Sequence, residues 1–153
     1  MRADFCHNSS MGRCRSFCML IGFVLLGAAP AEARIGETEQ RCVELYGPVV
    51  KVLKKGRLFV KDGVRIYVTF SNGLADGVFF QKRDQKTQRN AVPIGDTEIK
   101  ALLADNSLGC QWRYSSVLPD GDKIWITQGS ELGALYSQAT CSLQVYTREN
   151  IAR

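Results

Sequence analysis

Two kinds of periodicity alternate along the chain. Cys42, Leu45 and Tyr46 recur at three- and four-residue spacing, and so do Ile99, Leu102 and Leu103, which is the apolar stripe of a short helix. Thr38 and Thr97 stand ahead of these stripes as N-cap candidates. Each is followed by a glutamate, Glu39 or Glu98, where the positive end of the helix dipole favours negative charge. Gly47-Pro48 stops the first helix, and the stretch from Asn106 to Gly109 ends the second. Helices this short, about nine to eleven residues, depend on tertiary packing.

A two-residue alternation follows each helix. Val64, Ile66, Val68 and Phe70 share one side of a predicted strand, and Arg65, Tyr67 and Thr69 share the other. Val49–Leu53 precedes it, either extended to Arg57–Lys61 or broken at Lys55-Gly56; Asn72-Gly73 signals a hairpin, and Leu74–Gln81 returns beside it. A polar stretch, Lys82–Asn90, bridges to the second half. There Gln111–Val117 and Lys123–Thr127 read as strands around an Asp120-Gly121 turn. Gly133–Tyr136 reads as a short strand or loop, and Thr140–Thr147 alternates again, with Cys141, Leu143 and Val145 expected inwards. Residues 35–43 match residues 94–102 at a spacing of 59, with Ile, Gly, Thr and Glu identical and three further conservative pairs. That spacing bisects the chain into pseudo-repeats 35–93 and 94–153. The predicted fold is α+β: two tandem units, each one helix followed by about three antiparallel strands. The helices are expected on one face of the sheet, with the other face open to solvent.

The N-terminal third has a different character. Arg2, Arg13 and Arg15 form a basic region, Phe17–Ala29 is apolar, and Ala31-Glu32-Ala33 follows Pro30 as an A-x-A cleavage signal. This order predicts a signal peptide over 1–33 and export to the periplasm or exterior, with translation starting at Met1 or Met11. The apolar run falls short of the roughly 20 residues that a spanning helix needs, and no other segment is a membrane candidate. The mature chain is then a single 120-residue domain, Arg34–Arg153.

Cleavage changes the chemistry on offer. Of 20 basic and 15 acidic residues, Arg2, Arg13, Arg15, Asp4 and Glu32 leave, so 17 and 13 remain and the net charge is +4. The chain's one histidine, His7, leaves as well, and with it most routes to acid–base or nucleophilic catalysis. Cys42, Cys110 and Cys141 remain, an odd number that allows at most one internal disulfide. Cys110–Cys141 is the favoured pair, against the alternative of three unpaired thiols. A zinc site would lack a fourth ligand, and no C-x-x-C, phosphate-binding or dinucleotide motif occurs. Asp120-Gly121-Asp122 lacks the further ligands of a calcium loop. No catalytic residue, metal or cofactor is therefore expected.

Two residue groups remain as binding candidates. Alternation places Arg65, Tyr67 and Tyr146 opposite the core set, and Trp125 too if Ile124 and Ile126 are core; Trp112 and Tyr114 share a face. Large rings beside arginine on an open sheet are the composition of protein-binding hot spots. Lys51, Lys54, Lys55, Arg57 and Lys61 form a basic segment suited to an anionic surface. The expected partner is a protein, with anionic envelope components as the alternative and nucleic acid excluded by export.

Gly36, Thr38, Cys42 and Gly47-Pro48, followed by a strand ending in Phe70, Asn72 and Gly73, carry a resemblance. The pattern is similar to the small outer-membrane assembly lipoproteins of the SmpA/OmlA family and to the beta-lactamase inhibitory proteins. It covers residues 35–81 and, through the repeat, 94–147. This chain has no lipobox cysteine, and one helix per unit where those families have two. The resemblance implies a non-enzymatic exported protein that binds other proteins with the open face of its sheet.

Overall fold

The structure, a computed structural model, describes residues 34–87 and 89–151. The expected signal peptide, 1–33, lies outside the described residues. In chain order the elements are α1 Glu39–Tyr46, β1 Lys51–Leu53, β2 Gly56–Lys61, β3 Val64–Ser71, β4 Leu74–Lys82, α2 Asp96–Asp105, β5 Trp112–Val117, β6 Lys123–Thr127, β7 Leu132–Ser137, β8 Ser142–Thr147 and α3 Arg148–Ile151.

The strands make one antiparallel sheet in the order β1-β2-β3-β4-β8-β7-β6-β5. This corrects the expected two tandem helix-plus-strand units. The seam at β4–β8 is a full ladder, Gly77 opposite Tyr146 through Gln81 opposite Ser142, so the sheet does not divide at the middle of the sequence. The physical reason is the edge: left unpaired, β4 and β8 would each present a row of unsatisfied N–H and C=O groups. The polar stretch after β4 carries the chain to α2 without separating two bodies. There are also more strands than expected, because β1 and β2 are distinct and 132–137 is a full strand.

Turns form where the residue types demand them. Asn72 and Gly73 both have positive φ, 53° and 80°, at the β3–β4 connection, as a two-residue hairpin loop requires. Cys141 does not belong to β8: it has φ 49° in the preceding turn, and its thiol donates to the Gln138 carbonyl rather than entering the core.

Opposed residues in a ladder share a face, so the register defines the two sides of the sheet. One side is the core. Phe59, Ile66, Phe80, Leu143 and Tyr136 are successive partners from β2 to β7, and all are buried. Val68, Val78, Val145 and Ala134 form the next buried row. Cys42, Leu45 and Tyr46 of α1 and Ile99 and Leu103 of α2 belong to the same cluster. The Tyr46 ring meets Phe59 at 5.5 Å.

Lysines and an arginine of the sheet tie down the helices. Arg57 Nε reaches Glu39 at 2.6 Å and Lys61 Nζ donates to the Leu45 carbonyl at 3.0 Å, so two residues on one face of β2 hold both ends of α1. The second contact places a cation at a helix C-terminus that has no basic residue of its own. Lys82 pairs with Glu98 at 2.6 Å and Lys123 with Asp96 at 2.9 Å in the first turn of α2. Thr38 caps α1 as expected, accepting from the Arg41 N–H at 3.3 Å. Thr97 does not cap α2. The N-cap is Gly95, whose N–H donates to Glu98 Oε2 at 2.9 Å, because a glutamate three residues into the helix can reach back to the cap.

The open face of the sheet

The side of the sheet away from α1 and α2 is a candidate binding surface, and the ladder register lists it row by row. One row runs Leu58, Tyr67, Phe79, Gln144, Leu135 and Ile124 across β2, β3, β4, β8, β7 and β6. The next runs Gly56, Thr69, Gly77, Tyr146, Gly133, Ile126 and Arg113, from β2 to the edge strand β5. The apolar members of these rows are half-buried, and none belongs to the core cluster. They form a band of rings and aliphatic side chains over six strands, with Gln144 among them.

Arg65, Tyr67 and Tyr146 lie on this face, as the alternation in β3 and β8 implies. Trp112, Tyr114 and Trp125 do not, which corrects their expected place. Trp125 stands opposite Ala134, and Tyr114 opposite Trp125, so both sit on the helix side. Trp112 and Trp125 pack against the core, and Trp112 Nε1 donates to the Leu103 carbonyl at the end of α2. Tyr114 is half exposed and meets Trp125 edge-on at 5.7 Å. The two faces of β6 are reversed from expectation. Its isoleucines, Ile124 and Ile126, face outwards, and the Trp125 indole packs against the core cluster. Sequence reasoning missed Leu58, Phe79, Leu135, Ile124 and Ile126. A usable signal was present: glycine in the interior of β4 and of β7, which marks a close approach above the strand.

That approach is visible at three places. A Cβ added to Gly133 would lie 2.5 Å from the Tyr146 ring, and one on Gly56 would lie 2.9 Å from the Tyr67 ring. One on Gly77 would meet Thr69 Oγ1 at 2.6 Å and Asn150 Nδ2 at 2.8 Å. Around Gly77 is a cavity of about 460 Å³ whose walls include Tyr67, Phe79, Gln144, Tyr146 and, from α3, Asn150. Burial raises the Tyr146 phenol above its usual pKa. Thr69 donates to Asp76 Oδ1 at 2.6 Å, and Asn150 Nδ2 donates to Thr69 Oγ1 and the Asp76 carbonyl.

Charge is distributed unevenly between the two sides. The ion pairs among the described residues all involve a helix residue: Arg41–Glu44, Arg57–Glu39, Lys82–Glu98 and Lys123–Asp96. Of the basic segment, Lys54 and Lys55 are exposed in the β1–β2 turn, Lys51 is exposed opposite Leu58, and Arg57 and Lys61 are engaged with α1. The five therefore do not form one patch.

Cys42, Cys110 and Cys141 are free thiols, so the expected Cys110–Cys141 bond is not made. Cys110 precedes β5 at the end of the sheet where β6 finishes, and Cys141 precedes β8 at the end where β6 begins. The length of β6 separates them by roughly 15–20 Å at about 3.4 Å per residue, far beyond the ~7 Å between Cα atoms that a disulfide tolerates. Among the described residues no group of three His, Cys, Asp or Glu could hold a metal ion, and no helix is long and apolar enough to cross a membrane.

No family model matches the chain, and no curated protein matches it. Among solved structures, a cysteine-rich secretory protein from Staphylococcus aureus subsp. aureus Mu50 is similar at a TM-score of 0.44 and 14% identity. The match covers 77% of this chain and 44% of that one, so this chain spans less than half the length of that protein.

Proposed function

We propose that this chain is an exported, non-enzymatic protein-binding module that works through the open face of its sheet, as an inhibitor or a cell-envelope interaction protein. The observation that carries the reading is the half-buried apolar band of Leu58, Tyr67, Phe79, Leu135 and Ile124, which lies outside the core cluster. Protein interfaces combine such an apolar centre, rich in aromatic rings, with a polar rim. Here Arg65, Gln81 and Ser137 supply polar groups one row further along the same face. The signal-like N-terminus puts the module in an envelope or extracellular setting. Binding of anionic polymers through the basic segment is the weaker reading, since Arg57 and Lys61 already hold α1.

The test is capture from the native envelope fraction by wild type and by Tyr67→Ser/Tyr146→Ser, with Tyr114→Ser as the helix-side control. The open-face pair should lose a partner that wild type and Tyr114→Ser both retain. Equal recovery by all three proteins would sink the proposal.

A further inference from the structure

We propose that the open face docks an acidic protein segment that inserts an aromatic side chain into the slot above Gly77. This rests on the protein-binding reading and adds the chemistry of the partner.

The slot lies above Gly77, between two tyrosines that fold over glycines of the outer strands. Tyr67 on β3 leans towards Gly56 on β2, and Tyr146 on β8 leans towards Gly133 on β7; a Cβ on either glycine would collide with the ring beside it. Both rings thus lean away from β4, in opposite directions. Gly77 on β4, between them, has no side chain of its own, and Thr69 Oγ1 and Asn150 Nδ2 form the floor above it, 2.6 and 2.8 Å from where a Cβ would stand. The strands β3 and β8 are two spacings apart, about 9.6 Å, which gives the slot the width of one ring or one extended chain. Tyr67, Phe79 and Tyr146 line it, with neutral donors and acceptors from Thr69, Gln144 and Asn150. Rings on both walls favour an aromatic occupant, through edge-to-face and offset contacts.

The rim decides the charge of the partner. Lys51, Arg65 and Arg113 stand on this face in β1, β3 and β5, all exposed, and the ion pairs among the described residues are made elsewhere. None of the open-face strand positions in the rows is acidic. Asp76, at the β3–β4 irregularity, accepts from Thr69, and Glu149 is exposed on α3 beside Asn150. A basic partner would meet like charge across the face, and an acidic one would meet complementary charge. The cations span β1 to β5, about 34 Å at 4.8 Å per strand. That spread is too wide for a single small headgroup and fits the footprint of a protein surface.

The test is selection of random 12-residue peptides displayed on phage against the protein purified from an exporting host, followed by synthesis of the enriched peptides. Enriched sequences should carry an aromatic residue and a net negative charge. Their affinity should fall at least tenfold on replacing that aromatic by Ala and at least tenfold for Arg65→Glu/Arg113→Glu, whose positions are exposed and whose fold is checked by circular dichroism. Gly77→Val, with its fold checked by circular dichroism, should release them by pushing Thr69 and Asn150 into the slot. Peptides that are basic or lack an aromatic residue, peptides indifferent to the charge reversal, or no enrichment over bare beads would each overturn the proposal. Peptides of another chemistry that Tyr67→Ser/Tyr146→Ser releases would leave the open face as a protein-binding surface and reject only the acidic, aromatic partner. Binding unaffected by every open-face variant would reject both.

Discussion

Gly133→Ala tests whether the Tyr146 ring is folded over the backbone of β7. Alanine in a strand interior is ordinarily favoured over glycine by about 0.5–1 kcal/mol, because glycine loses more chain entropy on folding. At this position the new Cβ would lie 2.5 Å from Tyr146 Cε2, 3.1 Å from Cζ and 3.2 Å from Oη. Non-bonded carbons prefer about 3.5–4.0 Å, so the ring must shift by about 1 Å. Overpacking of that kind costs about 1–3 kcal/mol. After the entropic gain, a net loss of about 1–2 kcal/mol remains, or about 4–8 °C in melting temperature for a domain of this size. In a Tyr146→Ala background the obstacle is gone, and the same substitution should be neutral or stabilising. Chemical denaturation of the four proteins followed by circular dichroism gives the coupling directly. Ultraviolet titration adds a second reading: the displaced phenol should ionise closer to its usual pKa, having lost the burial that now raises it. A neutral or stabilising Gly133→Ala in the wild-type background, or an equal loss without the ring, would refute the reasoning.

The remaining predictions concern how the helices are held and the state of the thiols. Hydrogen bonds from Lys123 and Lys82 hold the Asp96 and Glu98 carboxyls below their ordinary 3.8 and 4.5. Depressed folded values contribute stability that is present above the unfolded pKa and lost as the pH falls through the folded one. The denaturation midpoint should therefore drop between about pH 5 and pH 3, and Lys82→Met/Lys123→Met should flatten that drop; an unchanged slope would refute the role of the two lysines. Lys61→Met removes the cation from the Leu45 carbonyl and should cost about 0.5–1 kcal/mol by denaturant titration, whereas Lys54→Met in the neighbouring turn should cost nothing measurable. Burial, with Glu37 and Glu39 adding to it, pushes the Cys42 thiol up to about 11. In native 34–153 at pH 8, a thiol reagent should label Cys110 and Cys141 quickly and Cys42 only on unfolding; rapid labelling of all three would contradict its place in the core.

Local pattern carried most of the element positions, and the reasons are visible in single residues. The β3 alternation, the Asn72-Gly73 turn and the Gly47-Pro48 stop each fix a conformation through residues a few places apart, so they were readable. The joining of β4 to β8 was not, because it pairs residues about 65 positions apart and leaves no local mark. The faces of β6 were misassigned for a related reason. Lys123, Ile124, Trp125, Ile126 and Thr127 alternate equally well either way, and the pairing of Trp125 with buried Ala134 on β7 sets which side goes inwards. In the candidate site, Arg65, Tyr67 and Tyr146 were legible because their strands have an unambiguous core side. The slot was not, because it depends on Gly77 and on rings folded over Gly56 and Gly133, brought together across strands far apart in the sequence.

The claim that the open face binds a protein is tested most directly by placing a photo-crosslinking residue at Phe79 and, separately, at Tyr114, in the protein expressed in its own host. Both positions accept a benzophenone side chain at the surface, one on each side of the sheet. A discrete protein adduct from position 79, absent from position 114, is the predicted result. Adducts from position 114 alone, or the same adducts from both, would contradict it.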